Sequence, residues 1–304
     1  MAQTFYAHGK LLLTGEYVVL DGALALGLPT RLGQQLEVES DPQATQLHWR
    51  SLQPDGSCWL EVTLQVADLS VKASSDDGGA RRLQQVLRAA RDLSGGRFLP
   101  SGGTVTTRLE FDRHWGLGSS STLLAMVAEW AGVDMYALAA ATFGGSGYDL
   151  ACARAQGPIL YQKRDGRGHA LTLPFRPPFA DQLYFIYSGA KQDSREGIRH
   201  YREQKQAPPV DAISALSLEL AHTTDFARFC TLLARHEDLI GAAVGMTSIG
   251  QTRFAQAPGT IKSLGAWGGD FVLCASAAPQ KEVRDYFANA GCGTVLSYND
   301  LILF

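Results

Sequence analysis

Several signatures are missing from these 304 residues, and each absence removes a class. The five cysteines (Cys58, Cys152, Cys230, Cys274, Cys292) are odd in number and scattered, with no CxxC pair. That excludes a disulfide framework or a zinc-ribbon spacing and points to reduced thiols in a cytosol-like compartment. No apolar stretch approaches the roughly 20 residues that a spanning helix needs, so no membrane partner is expected. The N-terminus has no basic patch leading into an apolar run, so no signal peptide is visible. Net charge is −3, without the global basic field that nucleic acid attracts. There is no internal repeat and no low-complexity segment. No lysine follows a glycine loop in Walker A spacing, and no GxGxxG occurs.

What is present is an ordinary globular composition, 45% hydrophobic and 19% charged, in a length that suits two domains. The 32 glycines are a mild excess and suggest several tight loops. The stretch His114-Trp115-Gly116-Leu117-Gly118-Ser119-Ser120-Ser121-Thr122 is the most informative of them. Two glycines around one residue allow positive φ and a close backbone approach. Four hydroxyl residues then signal an N-cap, and Leu123, Leu124, Val127, Ala128 and Ala131 recur at helical spacing. The run before, Thr104 to Phe111, is β-branched and alternating, a strand. Strand, Gly/Ser loop and helix together aim backbone N–H groups at an anion, and a phosphate is the natural one. An ordinary loop with a good N-cap reads the same way locally.

Near the N-terminus, Leu11–Leu13 and Tyr17–Leu20 read as strands around a turn at Thr14-Gly15-Glu16, with Lys10 and Glu16 interrupting an apolar surround. Such a charge sits either at a strand edge or in a site. Residues 80–93 form an amphipathic helix. Phe143 to Ala153 is a glycine-rich loop feeding a small-residue helix with Asp149 in its first turn; the carboxylate is favoured there by the helix dipole alone, or it stands at the mouth of a site. Polar composition around Gly166–Thr172, followed by three prolines, suggests a domain boundary. Lys191, Arg195, Arg199, His200 and Arg202 make the most basic run, either a solvated helix face or a grip on an anionic substrate group. Lys262 through Asp270 reads as a glycine loop between two strands, and Thr294–Leu303 as a terminal strand.

Taken in order, these stretches resemble the GHMP kinases, the superfamily of galactokinase, homoserine kinase, mevalonate kinase and phosphomevalonate kinase. Gly9 through Leu20 is similar to the opening of mevalonate and phosphomevalonate kinases, Gly116 through Ser121 to the phosphate loop, and Lys262 through Asp270 to the C-terminal glycine loop. Ser146-Gly147-Tyr148-Asp149 falls where the mevalonate group carries its catalytic Asp. The resemblance implies an α+β fold, with a ribosomal protein S5 domain 2-like N-terminal domain (1–168) and a ferredoxin-like GHMP kinase domain (169–304). It implies transfer of the γ-phosphoryl group of ATP, with Mg²⁺, to a small molecule, mevalonate or phosphomevalonate first. Alternatives are a sugar or amino-acid alcohol as acceptor, or nucleotide binding without kinase activity. Asp149 and Lys10 would be catalytic. Gly116, Leu117, Gly118, Ser119, Ser120 and Ser121 would hold the nucleotide, with Ser120 on the metal. Glu16, Tyr17, Lys191, Arg195, Gly265, Ala266, Trp267 and Gly268 would face the substrate. The partners implied are small molecules, in the cytoplasm, with a homodimer left open.

Three departures stand out. Trp267 replaces a glycine of the third motif, His114-Trp115 stand where a proline usually precedes the phosphate loop, and no glutamate precedes Asp149 to complete a magnesium site, Leu138-Ala139-Ala140 lying there instead.

Overall fold

The computed structural model describes residues 2–189, 194–204, 207–265, 267 and 269–304, with the backbone alone for 194–196. The chain is a mixed α+β protein with an eight-stranded and a four-stranded sheet. It divides into two compact units that alternate along the sequence.

One unit comprises residues 2–9, Leu32–Arg113 and Leu117–Arg154. Strands β1 (Ala2–Thr14) and β2 (Ala25–Asp41) contribute to it and continue into the other unit. Here β2 pairs antiparallel with β6 (Gly102–Leu109), from Gln34↔Leu109 to Asp41↔Gly102. β6 runs parallel to β3 (Gln46–Leu52), which turns antiparallel to β4 (Cys58–Gln65), and β5 (Val71–Ser74) closes that edge. Helices α1 (Asp77–Leu93), α2 (Ser119–Ala131) and α3 (Met135–Thr142) pack with this sheet around Trp49, Val86, Val105, Met126 and Leu138. Asp76 starts α1 by accepting the Gly78 and Gly79 amides, an N-cap that satisfies two orphan donors. A short helix, α4 (Tyr148–Arg154), ends the unit.

The other unit comprises Lys10–Arg31, His114–Gly116 and Ala155–Phe304. Its four-stranded sheet has the order β10-β11-β9-β12, all antiparallel, with β9 at Leu183–Tyr187, β10 at Thr260–Ser263, β11 at Phe271–Ala275 and β12 at Val295–Ser297. Helices α5 (Ser194–Glu203), α6 (Val210–His222), α7 (Phe226–Val244) and α8 (Gln280–Asn289) complete it, with a last short helix α9 (Tyr298–Leu301).

Three local expectations are corrected. Tyr17–Leu20 is not a strand: Tyr17 takes φ +61 and a 3-10 turn follows over Val18–Asp21. The positive φ reverses the chain before a strand can form. The polar stretch after residue 166 is regular strand: β7 (Ile159–Arg164) and β8 (Arg167–Thr172) form a hairpin closed by Asp165-Gly166, both at positive φ. Asp-Gly is the sequence that a two-residue turn of this hand requires. The terminal segment keeps only three strand residues, because Ser297 accepts the Asp300 amide and starts α9.

Candidate functional site

The Gly116–Thr122 stretch forms the loop and helix start that its composition suggests. Gly116 and Gly118 both take positive φ, +69 and +90. Gly118 is the N-cap of α2 and has no side chain to accept the first helical amides. The Ser121 amide turns back to the Gly118 carbonyl at 3.0 Å, and the geometry of a helix start leaves the amides before it without an intrahelical acceptor. Ser120 is exposed, Leu117 and Ser121 are buried, and Ser119 lies between. The loop thus offers donors and a hydroxyl to solvent at the positive end of a 13-residue helix. Thr122, facing inward, donates to Gln34 at 2.6 Å and anchors the first turn.

Asp149, in the first turn of α4, accepts a short hydrogen bond from Ser121 Oγ. The carboxylate therefore stands at the start of α2. Arg154, at the other end of α4, fixes this pairing: it donates to the carbonyl of Ala125 at 2.6 Å and to that of Tyr6 at 3.1 Å, and pairs with Glu129 at 2.5 Å. Sequence reading did not single out Arg154.

The second unit gathers the other motifs. Lys10 Nζ donates to the carbonyl of Gly116 at 2.9 Å. A Cβ built on Gly116 would lie 2.0 Å from a carboxylate oxygen of Asp270, so only glycine admits Asp270 at this place. Asp270 itself is held by its carbonyl, which accepts the Ser188 amide at 2.7 Å. Trp115, standing where a proline was expected, meets Phe271 edge-on at 5.7 Å between centroids and lies 6.3 Å from the ring of Tyr187. Large aromatic contacts here take over the stiffening that a proline provides.

Glu16, Lys262 and Glu237 form a dry ionic cluster. Glu16 and Lys262 are fully buried, 2.6 Å apart, and Lys262 reaches Glu237 at 3.1 Å. Burial pushes the Glu16 carboxyl up to about 7, against the pull of Lys262. Burial opposes the charge on Lys262 too, but the two carboxylates outweigh it and hold the ammonium above its ordinary value. Glu237 has the better solvation of the two acids, since Ser263 Oγ and Trp267 Nε1 also donate to it, at 2.7 and 3.1 Å. His236 Nε2 lies 3.6 Å from Glu16 but accepts the Gly15 amide at 3.0 Å, so that nitrogen carries no proton and the ring is neutral. Burial, then the Lys262 charge, keeps its pKa well below normal.

Trp267 takes φ +51, a conformation that glycine adopts more readily, and its indole is buried in the core. Tyr17 is almost buried, stacked on Tyr201 at 5.7 Å, and burial lifts its phenol to about 12. Tyr201 in turn donates to Asp21 at 2.5 Å, beside an Arg202–Asp21 ion pair of 2.6 Å. Gly265 takes φ +64 in the same loop as Trp267. Lys191, Ala266 and Gly268 lie outside the described residues, as does the side chain of Arg195. Of the expected site residues, the structure therefore joins Ser121 with Asp149, Lys10 with Gly116, and Glu16 with the third-motif strand at Lys262. Glu237 and His236 were missed, although a His-Glu pair inside the apolar run Leu232 to Val244 was a signal for them.

Among the described residues no three His, Cys, Asp or Glu side chains gather as metal ligands. The hydroxyl of Ser120 and the carboxylate of Asp149 suit a magnesium ion that arrives on a nucleotide, since Mg²⁺ takes oxygen ligands and leaves several positions to phosphate and water. Among the same residues no helix is long and apolar enough to cross a membrane.

No protein-family model matches the sequence, and no curated protein matches it. Solved structures do. Methanococcus jannaschii mevalonate kinase is similar at a TM-score of 0.73 and 14% identity, over 100% of this chain and 98% of that one. Streptococcus pneumoniae phosphomevalonate kinase, in complex with phosphomevalonate and AMPPNP, gives 0.71 and 16%, over 98% and 99%. Lactococcus lactis galactokinase with galactose gives 0.72 and 12%, over 99% and 93%. The fold is that of the GHMP kinases. At these identities the GHMP fold is what the likeness establishes; an acceptor must be argued from the residues.

Proposed function

We propose that this protein is an ATP-dependent kinase that phosphorylates a small molecule, with mevalonate and phosphomevalonate as the leading acceptors. The observation that carries the proposal is the hydrogen bond from Ser121 to Asp149 at the uncapped start of α2. It joins a carboxylate to a helix terminus built for phosphate. A Streptococcus pneumoniae phosphomevalonate kinase of the same fold holds AMPPNP with phosphomevalonate, which supports a nucleotide and an isoprenoid-precursor acceptor here.

The amides at 116–120 cradle the nucleotide phosphates, and Ser120 would hold a Mg²⁺ ion that would neutralise charge on the phosphate oxygens. Asp149 orients the acceptor hydroxyl and takes its proton. The acceptor oxygen forms a new bond to the γ-phosphorus, the bond from that phosphorus to the β-bridging oxygen breaks, and ADP leaves. For an acceptor that is already a phosphate, no proton need move and Asp149 only positions. Lys10 offsets the charge that develops during transfer. Lys191 and Arg195 are the natural partners of an anionic acceptor.

The test is ADP release from Mg-ATP with mevalonate, phosphomevalonate and a panel of sugar and amino-acid alcohols. Wild type should turn over at least one, and Asp149→Asn should lower kcat by about a thousandfold or more, in line with loss of a positioned base. Equal turnover by the two proteins would remove Asp149 from the chemistry. ATP binding by calorimetry with no phosphorylated product on the whole panel would favour a nucleotide-binding protein without kinase activity.

A further inference from the structure

We infer that Glu237, on α7, is a positioning residue that staples Ser263 and Trp267 in the places the proposed reaction uses. The inference rests on the kinase reading for its effect on turnover, and on geometry alone for the anchoring.

A bulky residue at positive φ is strained and persists only where its surroundings over-determine it. Trp267 is such a residue, at φ +51. What fixes it is visible. Its indole N–H donates to Glu237 Oε1 at 3.1 Å. Its ring is buried in a cluster with Val18, Ile240 and Val244. Gly241, one turn beyond Glu237, is bare where the ring lies: a Cβ there would come 3.0 Å from the indole. Helix α7 thus provides both the acceptor and the notch.

The same carboxylate holds Ser263 as well. Glu237 Oε2 accepts from Ser263 Oγ at 2.7 Å, and Oε1 also meets Lys262 Nζ at 3.1 Å. One buried group therefore binds residues 262, 263 and 267, before and within the loop. Three residues later Asp270 lies against Gly116, whose carbonyl Lys10 binds. Any effect of Glu237 on the acceptor would run through Ser263 and Trp267, the residues it anchors.

The test compares full-length wild type with Glu237→Gln and Trp267→Phe. Gln keeps the shape but turns an amide N–H₂ towards groups that donate. Phe keeps one aromatic ring but removes the indole N–H and the pyrrole half that carries it, and serves if Glu237→Gln folds poorly. Amide hydrogen exchange is read over 262–272. Binding of Mg-AMPPNP, and the kcat and KM for the acceptor that the wild type uses, are measured alongside. We expect exchange in 263–269 to rise about tenfold, the yield of one lost hydrogen bond to a charged group. We expect kcat over KM for the acceptor to fall by a similar factor, with AMPPNP affinity within about twofold, since the loop and not the nucleotide cradle has loosened. Unchanged exchange in 263–269 overturns the inference, even if the melting temperature falls. So does a loosened loop with unaltered acceptor kinetics. If the wild type phosphorylates nothing on the panel, the kinase reading fails by itself and the exchange result alone decides whether Glu237 is the staple.

Discussion

Two glycine-rich loops of this chain look alike on paper and are used in opposite ways. The 116–122 loop keeps part of its polar surface outward. Its helix is uncapped, Ser120 is exposed, and its glycines leave backbone amides uncovered. The 262–270 loop turns its polar groups inward. Lys262 and Ser263 are fully buried, and the Trp267 indole is buried and hydrogen-bonded to Glu237. The first turns Ser121 and Thr122 inward but keeps Ser120 exposed at an uncapped helix start, and so can bind. The second is committed to internal partners and so can hold a shape. A glycine count sees the shared flexibility and not this division of labour.

The largest expected effect tests the inward loop. Lys262→Met leaves Glu16 and Glu237 without their cation and should cost about 3–5 kcal/mol at neutral pH, the range for breaking a buried pair from one side. Glu16→Gln leaves the Lys262–Glu237 pair intact and should cost about 1 kcal/mol. Urea unfolding of both variants checks the contrast. Equal losses would mean that the cluster is not held by its lysine.

Next comes the place where the two loops are read together. Gly116→Ala would put a methyl 2.0 Å from the Asp270 carboxylate at a φ of +69. The strain of such a backbone, about 1–3 kcal/mol, is expected in the unfolding free energy. AMPPNP binding should fall at least tenfold as Asp270 and the Lys10 contact shift. A variant that binds AMPPNP like wild type would show that this glycine is a packing detail only.

How far these loops were legible in the sequence follows from the same physics. The outward loop was readable because its chemistry is local: consecutive glycines and hydroxyls, then a helical pattern, state the arrangement without help from elsewhere. Asp149 was readable as a carboxylate in a first turn, and Ser121 as part of the loop, though their bond was not. The inward loop was not readable. Its key partner, Glu237, stands 30 residues from Trp267 on a helix whose own pattern gives only an apolar face with one acidic interruption. Trp267 reads as a defect in a glycine motif until the notch at Gly241 is seen. Lys10 was singled out as a charge, but its partner is a backbone carbonyl 106 residues away, which no side-chain pattern announces. The 3-10 turn at Val18–Asp21 was missed because Tyr17, a residue of high β propensity, is forced to positive φ by the packing around it.

A smaller effect separates the acid from the imidazole in the buried cluster. Glu16 is raised to about 7, so its contribution to stability is full below its ordinary 4.5 and is lost as pH climbs through 7. His236 is held well below its ordinary 6.5, so its contribution is full above that value and is lost as pH falls beneath it. Below 6.5 the two oppose each other and the wild type should show little slope from this pair. His236→Gln keeps an acceptor for the Gly15 amide and removes the imidazole. Its stability should then rise on acidification towards 4.5, by up to about 1.4 kcal/mol per pH unit for one proton. Urea midpoints across that window, parallel in the two proteins, would sink the assignment.

The smallest effect belongs to the outward loop and is the sharpest contrast with Lys262. Ser120 is exposed at the start of α2, and Gly118, not Ser120, is the N-cap. Ser120→Ala therefore removes no buried partner, and its effect on stability should stay within about 0.5 kcal/mol, as for other surface changes. Its effect on Mg-ATP should nevertheless be measurable, since the Ser120 hydroxyl is exposed at the uncapped start of α2. A fall of about tenfold in affinity for Mg-ATP, with little change for ATP in the presence of a chelator, would assign that oxygen to the metal. An equal fall in both would assign it to the phosphates instead, and no fall in either would leave the backbone amides as the whole of the cradle.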